Sequence, residues 1–351
     1  MSSSYSHSFV ELCRAALEMC GAKEGETIAV LGQGDQRADY ARGFMDAAAT
    51  LGAIAYQVTL PEVSTSLDGS HGAWTVGATP LARNRPVIDA LKEADLMVDL
   101  MFLLFSKEQL EIQAADTRIL LCIEPLDLLQ RLFPLPEIRE RVEIGEELLG
   151  KAKSLRFTNE AGTDVTYQMG MPVITQYGYT DTPGRWDHWP SGFVFSGGTD
   201  DGVDGKVVVA PGDILLPHKS YVQSPIELTI EHGRIVDIRG GVDADLLKDY
   251  MEAFDDERAY SIAHIGWGLD HRARWSALAT DTRGMGMEAR SFYGNVLFST
   301  GPNGELGGTN DTACHVDIPM RGCSLFLDDE PIVLDGEIAV GEMKAAAGST
   351  A

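Results

Sequence analysis

The first 150 residues alternate between helical and strand-like patterns of apolar positions. "FVELCRAALEMCGA" repeats apolar residues at helical spacing, and the short apolar run "TIAVLG" follows it as a strand. "IAYQVTL" and "TRILLCIE" read as further strands, with helical segments such as "RPVIDALKEA" between them. Short apolar strands that alternate with helices indicate a parallel sheet covered on both faces. Residues 1–152 are therefore predicted to form a three-layer α/β domain.

The pattern changes after residue 152. "SLRFTNE" and "TDVTYQM" flank a turn, and "IELTIEHGRIVDIRGG" is a second hairpin candidate that turns at His232 and Gly233. Later segments such as "GNVLFSTG" and "CHVDIPM" are again strand-like, with one helix around "DADLLKDYMEAF". Residues 153–343 are predicted to form a mostly antiparallel, β-rich α+β domain. The last residues, 344–351, are predicted to be a disordered tail.

Composition and charge exclude several classes of partner. The 351-residue chain carries a formal net charge of −25, which argues against nucleic acid and against an anionic membrane surface. No apolar run of about 18 residues predicts a transmembrane helix, and the N-terminus lacks the pattern of a signal peptide. The five cysteines form no CxxC pair, which is typical of reduced residues in a cytoplasmic protein.

A glycine-containing segment after the first strand, "LGQGDQ", resembles part of a dinucleotide-binding turn. Gly32 and Gly34 fit such a turn, but Arg37 stands where the third glycine is needed. The next strand also ends without an acidic residue for the ribose. The segment therefore does not predict nucleotide binding.

Candidate metal ligands lie in the strand-like segment "TACHVDIPM". His315 and Asp317 are two residues apart, so on a strand both side chains point to one face. A carboxylate on a core-facing surface needs a partner, and a cation would provide one. An exposed polar pair is the alternative. His264 lies among apolar residues and glycines, where it is either a third ligand or a hydrogen-bonded core histidine. Two imidazoles and one carboxylate would suit ferrous iron and leave positions open for a chelating substrate and dioxygen.

A second candidate region is the irregular segment 177–193, "YGYTDTPGRWDHWPSGF". It contains two tyrosines, two tryptophans and His188. Aromatic residues and a histidine on an irregular loop are typical of a pocket for a planar ligand. A solvent-facing aromatic loop is the alternative.

Several segments taken together resemble the 2,5-dihydroxypyridine 5,6-dioxygenases. They are "YGYTDTPGRWDHWPSGF", "HIGWGLDHRARW", "ARSFYGNVLFSTGPN" and "CHVDIP", with "TRILLCIEP" and "DLMVDLM" in the first half. The resemblance implies a two-domain architecture related to thermophilic metallo-aminopeptidases, a homo-oligomer, and one Fe(II) per chain held by His264, His315 and Asp317. It also implies cleavage of a hydroxylated pyridine ring by dioxygen between C5 and C6, giving N-formylmaleamate in nicotinate or nicotine breakdown.

The same resemblance implies roles for residues around the substrate. Catalytic roles are expected for His188, Tyr293 and Ser299. The substrate pocket is expected to include Leu104, Phe105, Gln176, Trp186 and Arg290. Phe105 stands where the family has a histidine that moves protons, and Gln176 stands where it has a glutamate. A phenylalanine cannot transfer protons. These departures lead to the hypothesis that the substrate is a related or carboxylated hydroxypyridine.

Two other functions are consistent with parts of the sequence. A two-metal aminopeptidase would need bridging carboxylates, for which Glu257, Glu288 and Glu305 are candidates without a convincing spacing. A binding protein could retain the fold without the chemistry. Metal stoichiometry separates the dioxygenase, with one iron per chain, from the peptidase, with two metal ions.

Overall fold

The computed structural model describes residues 3–62, 76–77, 79–104 and 106–346, the first five of these without their side chains. The α-helices are α1 Ser3–Met19, α2 Ala38–Thr50, α3 Arg85–Lys92, α4 Lys107–Gln113, α5 Leu126–Arg131, α6 Pro136–Lys151, α7 Val242–Glu252, α8 Ala277–Thr280 and α9 Met287–Arg290. The strands are β1 Thr27–Gln33, β2 Ile54–Leu60, β3 Leu96–Asp99, β4 Arg118–Leu121, β5 Ser154–Asn159, β6 Asp164–Met169, β7 Ile174–Gln176, β8 Trp186–His188, β9 Phe193–Ser196, β10 Gly198–Val209, β11 Ile214–Leu215, β12 Ser220–Tyr221, β13 Ile226–Glu231, β14 Arg234–Gly240, β15 Ile262–Gly268, β16 Val296–Thr300, β17 Val316–Met320, β18 Cys323–Leu327, β19 Glu330–Leu334 and β20 Glu337–Ile338. Short 3₁₀ turns cover Glu257–Tyr260, Gly304–Leu306 and Gly341–Met343.

The described chain divides into two compact units. The first contains the described part of Met1–Leu67 together with Gly77–Pro134 and Tyr177–Ser191, and the second contains the remainder. This division differs from a single boundary at residue 152. Helix α6 belongs to the second unit, where it packs against β7 and β9. The segment that carries β8 returns to the first unit, because β8 pairs with β4.

The first unit is built on a five-stranded parallel sheet in the order β2-β1-β3-β4-β8. On one face, Ala29 and Leu31 pack with Ile88 of α3 and Ile112 of α4. Residues alternate between the two faces of a strand, so Val30 points to the opposite face, where it is fully buried. Helix α2 packs against β1 and β2. The predicted three-layer α/β arrangement is confirmed.

Strand β3 ends at Asp99, because this carboxylate turns the chain. Its oxygens accept hydrogen bonds from the backbone N–H groups of Met101, Phe102 and Leu103, at 2.7–3.0 Å. Phe102 has the left-handed φ of 72° that the tight turn requires. The apolar run "DLMVDLMFLLF" therefore supplies only a four-residue strand. Burial raises the pKa of Asp99 to about 6, while the three N–H donors act in the opposite direction.

Because of this raised pKa, we expect Asp99 to make the protein less stable as the pH rises. Its pKa is about 6 in the folded protein and 3.8 in the reference state. Between these two pH values the folded protein therefore binds more protons than the unfolded protein. The free energy of unfolding should then fall by about 3 kcal/mol as the pH rises through this interval. Asp99→Asn should lack this part of the pH dependence, which guanidinium unfolding at several pH values would measure.

Asp328→Asn is the matched control for this prediction. Asp328 is exposed, and its carboxylate also accepts backbone N–H groups, those of Lys153 and Ser154. Those hydrogen bonds lower its pKa, so its contribution to stability has the opposite sign and appears as the pH rises. Equal pH dependence in the wild type and Asp99→Asn would contradict the prediction.

The second unit contains three antiparallel sheets. An eight-stranded sheet has the order β14-β13-β10-β6-β5-β18-β19-β20, and β11 pairs with β12. A five-stranded sheet has the order β17-β16-β15-β9-β7. The predicted hairpins β5–β6 and β13–β14 are present. The predicted mostly antiparallel, β-rich region is therefore confirmed, and its five-stranded sheet carries the candidate site.

The C-terminal segment and the helices bear on two further predictions. Of the tail predicted to be disordered, residues 344–346 are described, and the backbone N–H of Ala345 donates to the hydroxyl of Tyr293 at 2.8 Å. Residues 347–351 lie outside the described residues. Among the helices that are described, none has the length and apolar character needed to cross a membrane.

Candidate metal centre

Three potential ligand side chains converge on the five-stranded sheet, across its strands β15 and β17. His264 lies on β15, Asp317 on β17, and His315 directly before β17. The Nε2 atoms of His264 and His315 each lie 3.2 Å from Oδ1 of Asp317. One ligand atom from each residue lies within 4.8 Å of the other two. His264 and Asp317 are almost fully buried, and the ring of Phe195 lies 4.7 Å from that of His264.

A β-bulge brings His264 into line with the other two residues. Ile262 pairs with Thr300 and Ile265 with Phe298, so three steps along β15 correspond to two along β16. Ser299 pairs on its other side with Asp317. The extra residue leaves backbone groups of β15 without regular partners. The hydroxyl of Ser299 bonds both groups of His264, accepting from its N–H at 2.9 Å and donating to its C=O at 3.1 Å.

The charges around Asp317 keep it ionised. Burial would raise its pKa, but the charges of His315 and Arg290 outweigh burial and hold the pKa well below its usual range. Nε of Arg290 donates to Oδ2 of Asp317 at 2.7 Å, and Nη2 lies 2.6 Å from the same oxygen. Burial lowers the pKa of His264. At neutral pH the site therefore presents a carboxylate and a neutral imidazole.

These residues fit a divalent metal ion. Oδ1 of Asp317 is buried, and no described group donates a well-aligned hydrogen bond to it, although both imidazole Nε2 atoms lie 3.2 Å away. A buried carboxylate oxygen without a donor is costly, and a cation removes that cost. Ligand atoms about 2.1 Å from one ion and near 90° apart lie about 3 Å from each other, close to the observed spacing. Two imidazoles and a carboxylate bind ferrous iron on one face of its octahedron.

The backbone behind His315 has room only for a glycine. Gly301 has a φ of +123°, which L-residues rarely adopt. A Cβ at this position would lie 2.5 Å from the carbonyl oxygen of Cys314 and 3.1 Å from Nδ1 of His315. The tight approach of these two segments fixes where His315 leaves the backbone.

Gly301→Ala should therefore weaken metal binding. The clash with the Cys314 carbonyl must move the backbone next to His315, and we expect the affinity for a divalent metal ion to fall by roughly 10-fold or more. Gly307→Ala is the control, because Gly307 also has a positive φ of +75° but an added Cβ meets nothing within 4 Å. Competition with a chelator would measure both affinities, and equal values for the two variants would contradict the prediction.

Comparison with known proteins identifies the family. The family model for 2,5-dihydroxypyridine 5,6-dioxygenase, NicX, matches residues 8–340. The chain belongs to this family. It is accordingly an oxidoreductase, and the resemblance seen in its sequence segments is confirmed. This assignment favours the dioxygenase over the alternative of a two-metal aminopeptidase.

Two relatives extend the comparison with this dioxygenase family. The 2,5-dihydroxypyridine 5,6-dioxygenase of Pseudomonas putida KT2440 is 44% identical over 335 residues, covering 94% of this chain and 95% of the relative. A solved structure of 2,5-dihydroxypyridine dioxygenase from the same organism matches with a TM-score of 0.92 and 42% identity, covering 97% and 99% of the two chains. Wild-type AmpT from Thermus thermophilus matches with a TM-score of 0.63 at 13% identity, covering 96% and 100%. This last likeness concerns the fold alone.

Four of the pocket and catalytic residues expected from the dioxygenase family lie in the second unit with the three potential ligands. The hydroxyl of Ser299 is bonded to the backbone of His264, and the guanidinium of Arg290 to Asp317 and the carbonyl of Met285. The hydroxyl of Tyr293 donates to the carbonyl of Met343 at 3.1 Å. Gln176 is buried at the end of β7. The structure thus gives Ser299, Arg290 and Tyr293 contacts within the protein that the sequence did not suggest.

Three other expected residues, Leu104, Trp186 and His188, belong to the first unit. Trp186 and His188 are the ends of β8, and His188 is almost fully buried. Asp187 between them accepts the backbone N–H groups of Tyr177 and Gly178 and pairs with Arg185. The segment predicted as an irregular aromatic loop therefore contains a short strand. Leu104 is half-buried after β3, and Phe105 lies outside the described residues.

Proposed function

We propose that this protein is an Fe(II)-dependent ring-cleaving dioxygenase with one iron per chain, acting on 2,5-dihydroxypyridine between C5 and C6. The product would be N-formylmaleamate, in nicotinate-type catabolism. The observation that carries the proposal is the convergence of His264, His315 and Asp317 in a chain of this dioxygenase family. Iron is favoured over zinc because reaction with dioxygen needs a redox-active ion, which zinc is not.

The protein's own groups have distinct tasks in this proposal. Nε2 of His264, Nε2 of His315 and Oδ1 of Asp317 would hold the ion. Arg290 keeps Asp317 ionised and fixes its rotamer, and Ser299 fixes the backbone of His264. When bound, ferrous iron supplies electron transfer between the ring and dioxygen. The burial of the ligands limits the access of water to this chemistry.

The substitutions at positions 105 and 176 bear on the choice of substrate. Phe105 removes a titratable group from the family pattern, and Gln176 replaces a negative charge by a neutral amide. Gln176 is buried, so this loss of charge changes the electrostatics of its surroundings strongly. A more anionic ring, such as a carboxylated hydroxypyridine, would suit this change. The related ring is the second substrate class that we propose.

Oxygen uptake by anaerobically iron-loaded protein tests the function. Uptake with 2,5-dihydroxypyridine, together with N-formylmaleamate as product, would support the parent activity. Uptake only with a carboxylated relative would assign positions 105 and 176 to substrate choice. No uptake with any hydroxypyridine, at one iron per chain, would contradict the proposal.

The cellular setting is also part of the proposal. All five cysteines are buried and free of disulfides. This state is typical of a reducing compartment, which supports a cytoplasmic location. A homo-oligomer is proposed from the family resemblance, and light scattering in solution would measure it.

A further inference from the structure

The proposed reaction needs a group that accepts a proton from the substrate. A hydroxylated ring gives electrons to dioxygen more readily when its hydroxyl is ionised. A proton acceptor near the candidate ligands would therefore assist the reaction. In the second unit, Ser299 already uses its hydrogen atom on the carbonyl of His264, and Tyr293 uses its own on that of Met343. Arg290 has no lone pair to offer. The amide of Gln176 cannot take up a proton near neutral pH.

Glu305 has the required free lone pairs. Its side chain is half-buried, and within the part of the chain that the structure describes its carboxylate forms no hydrogen bond or ion pair. The charges of both His315 and Asp317 act on it. Burial raises the pKa of this carboxyl, which favours the uptake of a proton. Glu305 is not one of the three residues that converge.

The segment around Glu305 is held close to both histidines. Gly301 is the first residue of this segment. A Cβ added at Gly301 would lie 3.1 Å from Nδ1 of His315. Leu306 packs in the apolar cluster with Phe195, whose ring contacts His264. Glu305, between these two contacts, is therefore carried beside the ligand set.

The same segment is rigidly tied to the sheet. Asn310 donates its N–H to Oδ1 of Asn303 at 2.8 Å, closing the loop. Asp200 of β10 accepts from Nδ2 of Asn303 at 3.0 Å and from the hydroxyl of Thr309 at 2.7 Å. A loop fastened at both ends can hold a side chain with the precision that proton transfer needs.

We infer that Glu305 is a catalytic residue that accepts the proton of a ring hydroxyl of the bound hydroxypyridine. This inference rests on the proposed function. In the step, the substrate O–H bond breaks, its electron pair stays on the ring oxygen, and a new O–H bond forms on the Glu305 carboxylate. Because the side chain is half-exposed, the proton then passes to solvent.

The test compares Glu305→Gln and Glu305→Asp with the wild type, using 2,5-dihydroxypyridine and its carboxylated relatives. Glu330→Gln, an exposed glutamate at the start of β19, is the control. Iron content, the anaerobic absorption spectrum of the bound substrate, and oxygen uptake are measured for each. We expect Glu305→Gln to keep one iron per chain and to bind substrate in its protonated form, with kcat lower by roughly 100-fold or more. Glu305→Asp should retain part of the activity.

The possible results separate a failure of the role of Glu305 from a failure of the proposed function. Wild-type kcat and an ionised bound substrate in Glu305→Gln would overturn the inference. Loss of iron in that variant would also overturn it, because Glu305 would then act on the metal. If the wild type itself, loaded with iron, consumes no oxygen with any of these rings, the proposed function fails and the inference fails with it.

Discussion

Replacement of Asp317 by asparagine should remove metal binding and activity together. The side chain keeps its shape, but the ligand oxygen loses its charge and Arg290 loses its anionic partner. We expect the affinity for Fe(II) to fall by more than about 100-fold, beyond the 10–100-fold typical of residues that only support a ligand. Oxygen uptake should fall below detection. The free energy of unfolding should decrease by roughly 3 kcal/mol, since a mostly buried guanidinium is left unpaired.

Asp213→Asn separates this effect from the cost of altering any buried aspartate. Asp213 lies in the same unit, is 3% exposed, and accepts the backbone N–H groups of Ala210 and Arg321. Its replacement should reduce stability while leaving iron content and oxygen uptake at wild-type values. Iron analysis and unfolding curves on both variants supply the comparison. An Asp317→Asn protein that bound one iron per chain with unchanged affinity would rule out Asp317 as a ligand.

Replacement of Arg290 by methionine should weaken the metal site without removing a ligand. The variant loses the donors to Oδ2 of Asp317 and the bond from Nη1 to the carbonyl of Met285. We expect a 10–100-fold lower affinity for Fe(II). Arg290 is one of the charges that lower the pKa of Asp317, so its loss raises that pKa. Protons then compete better with the metal, and the difference from the wild type should grow as the pH falls.

Chelator competition at about pH 6 and about pH 8 would measure this change. Arg272→Met is the matched control, because Arg272 forms a two-contact pair with buried Asp270, at 2.9 and 2.8 Å, in the same unit. That variant should lose stability but keep wild-type metal affinity at both pH values. An Arg290→Met protein with wild-type affinity at both values would mean that Asp317 needs no support from the guanidinium.

Much of the fold is predictable from the periodicity of the sequence. The apolar runs of β1 and β4 predict strands of a parallel sheet that is buried on both faces. The turn between β5 and β6 predicts a hairpin, because alternating burial on one face leaves a clear pattern. The strand β8 is different. Its three residues, Trp186–His188, are too few to show a period, and its hydrogen bonds come from a partner far away in sequence. Only tertiary structure assigns it to the parallel sheet.

The candidate site was predictable in part for similar reasons. His315 and Asp317 share a strand face by their two-residue spacing, so their proximity follows from local geometry. The pairing of Arg290 with Asp317 depends on α9 and β17 meeting, which no local pattern encodes. Glu305 lacked a recognisable spacing, and it lies in a loop that the side chain of Asn303 closes. Phe105, expected in the pocket, lies outside the described residues.

Because of the bulge in β15, the face of the sheet on which His264 lies depends on a single extra residue. In a regular pairing continued from Ile262 and Thr300, Ala263 would stand opposite Ser299, and the imidazole of His264 would point to the reverse side of the sheet. One inserted residue therefore exchanges the two faces and places the histidine in a row with Ser299 and Asp317. Transplanting these ligands into an ideal sheet would separate them, even with every residue retained. The convergence of the three candidate ligands therefore depends on an irregularity of the backbone as well as on the side chains.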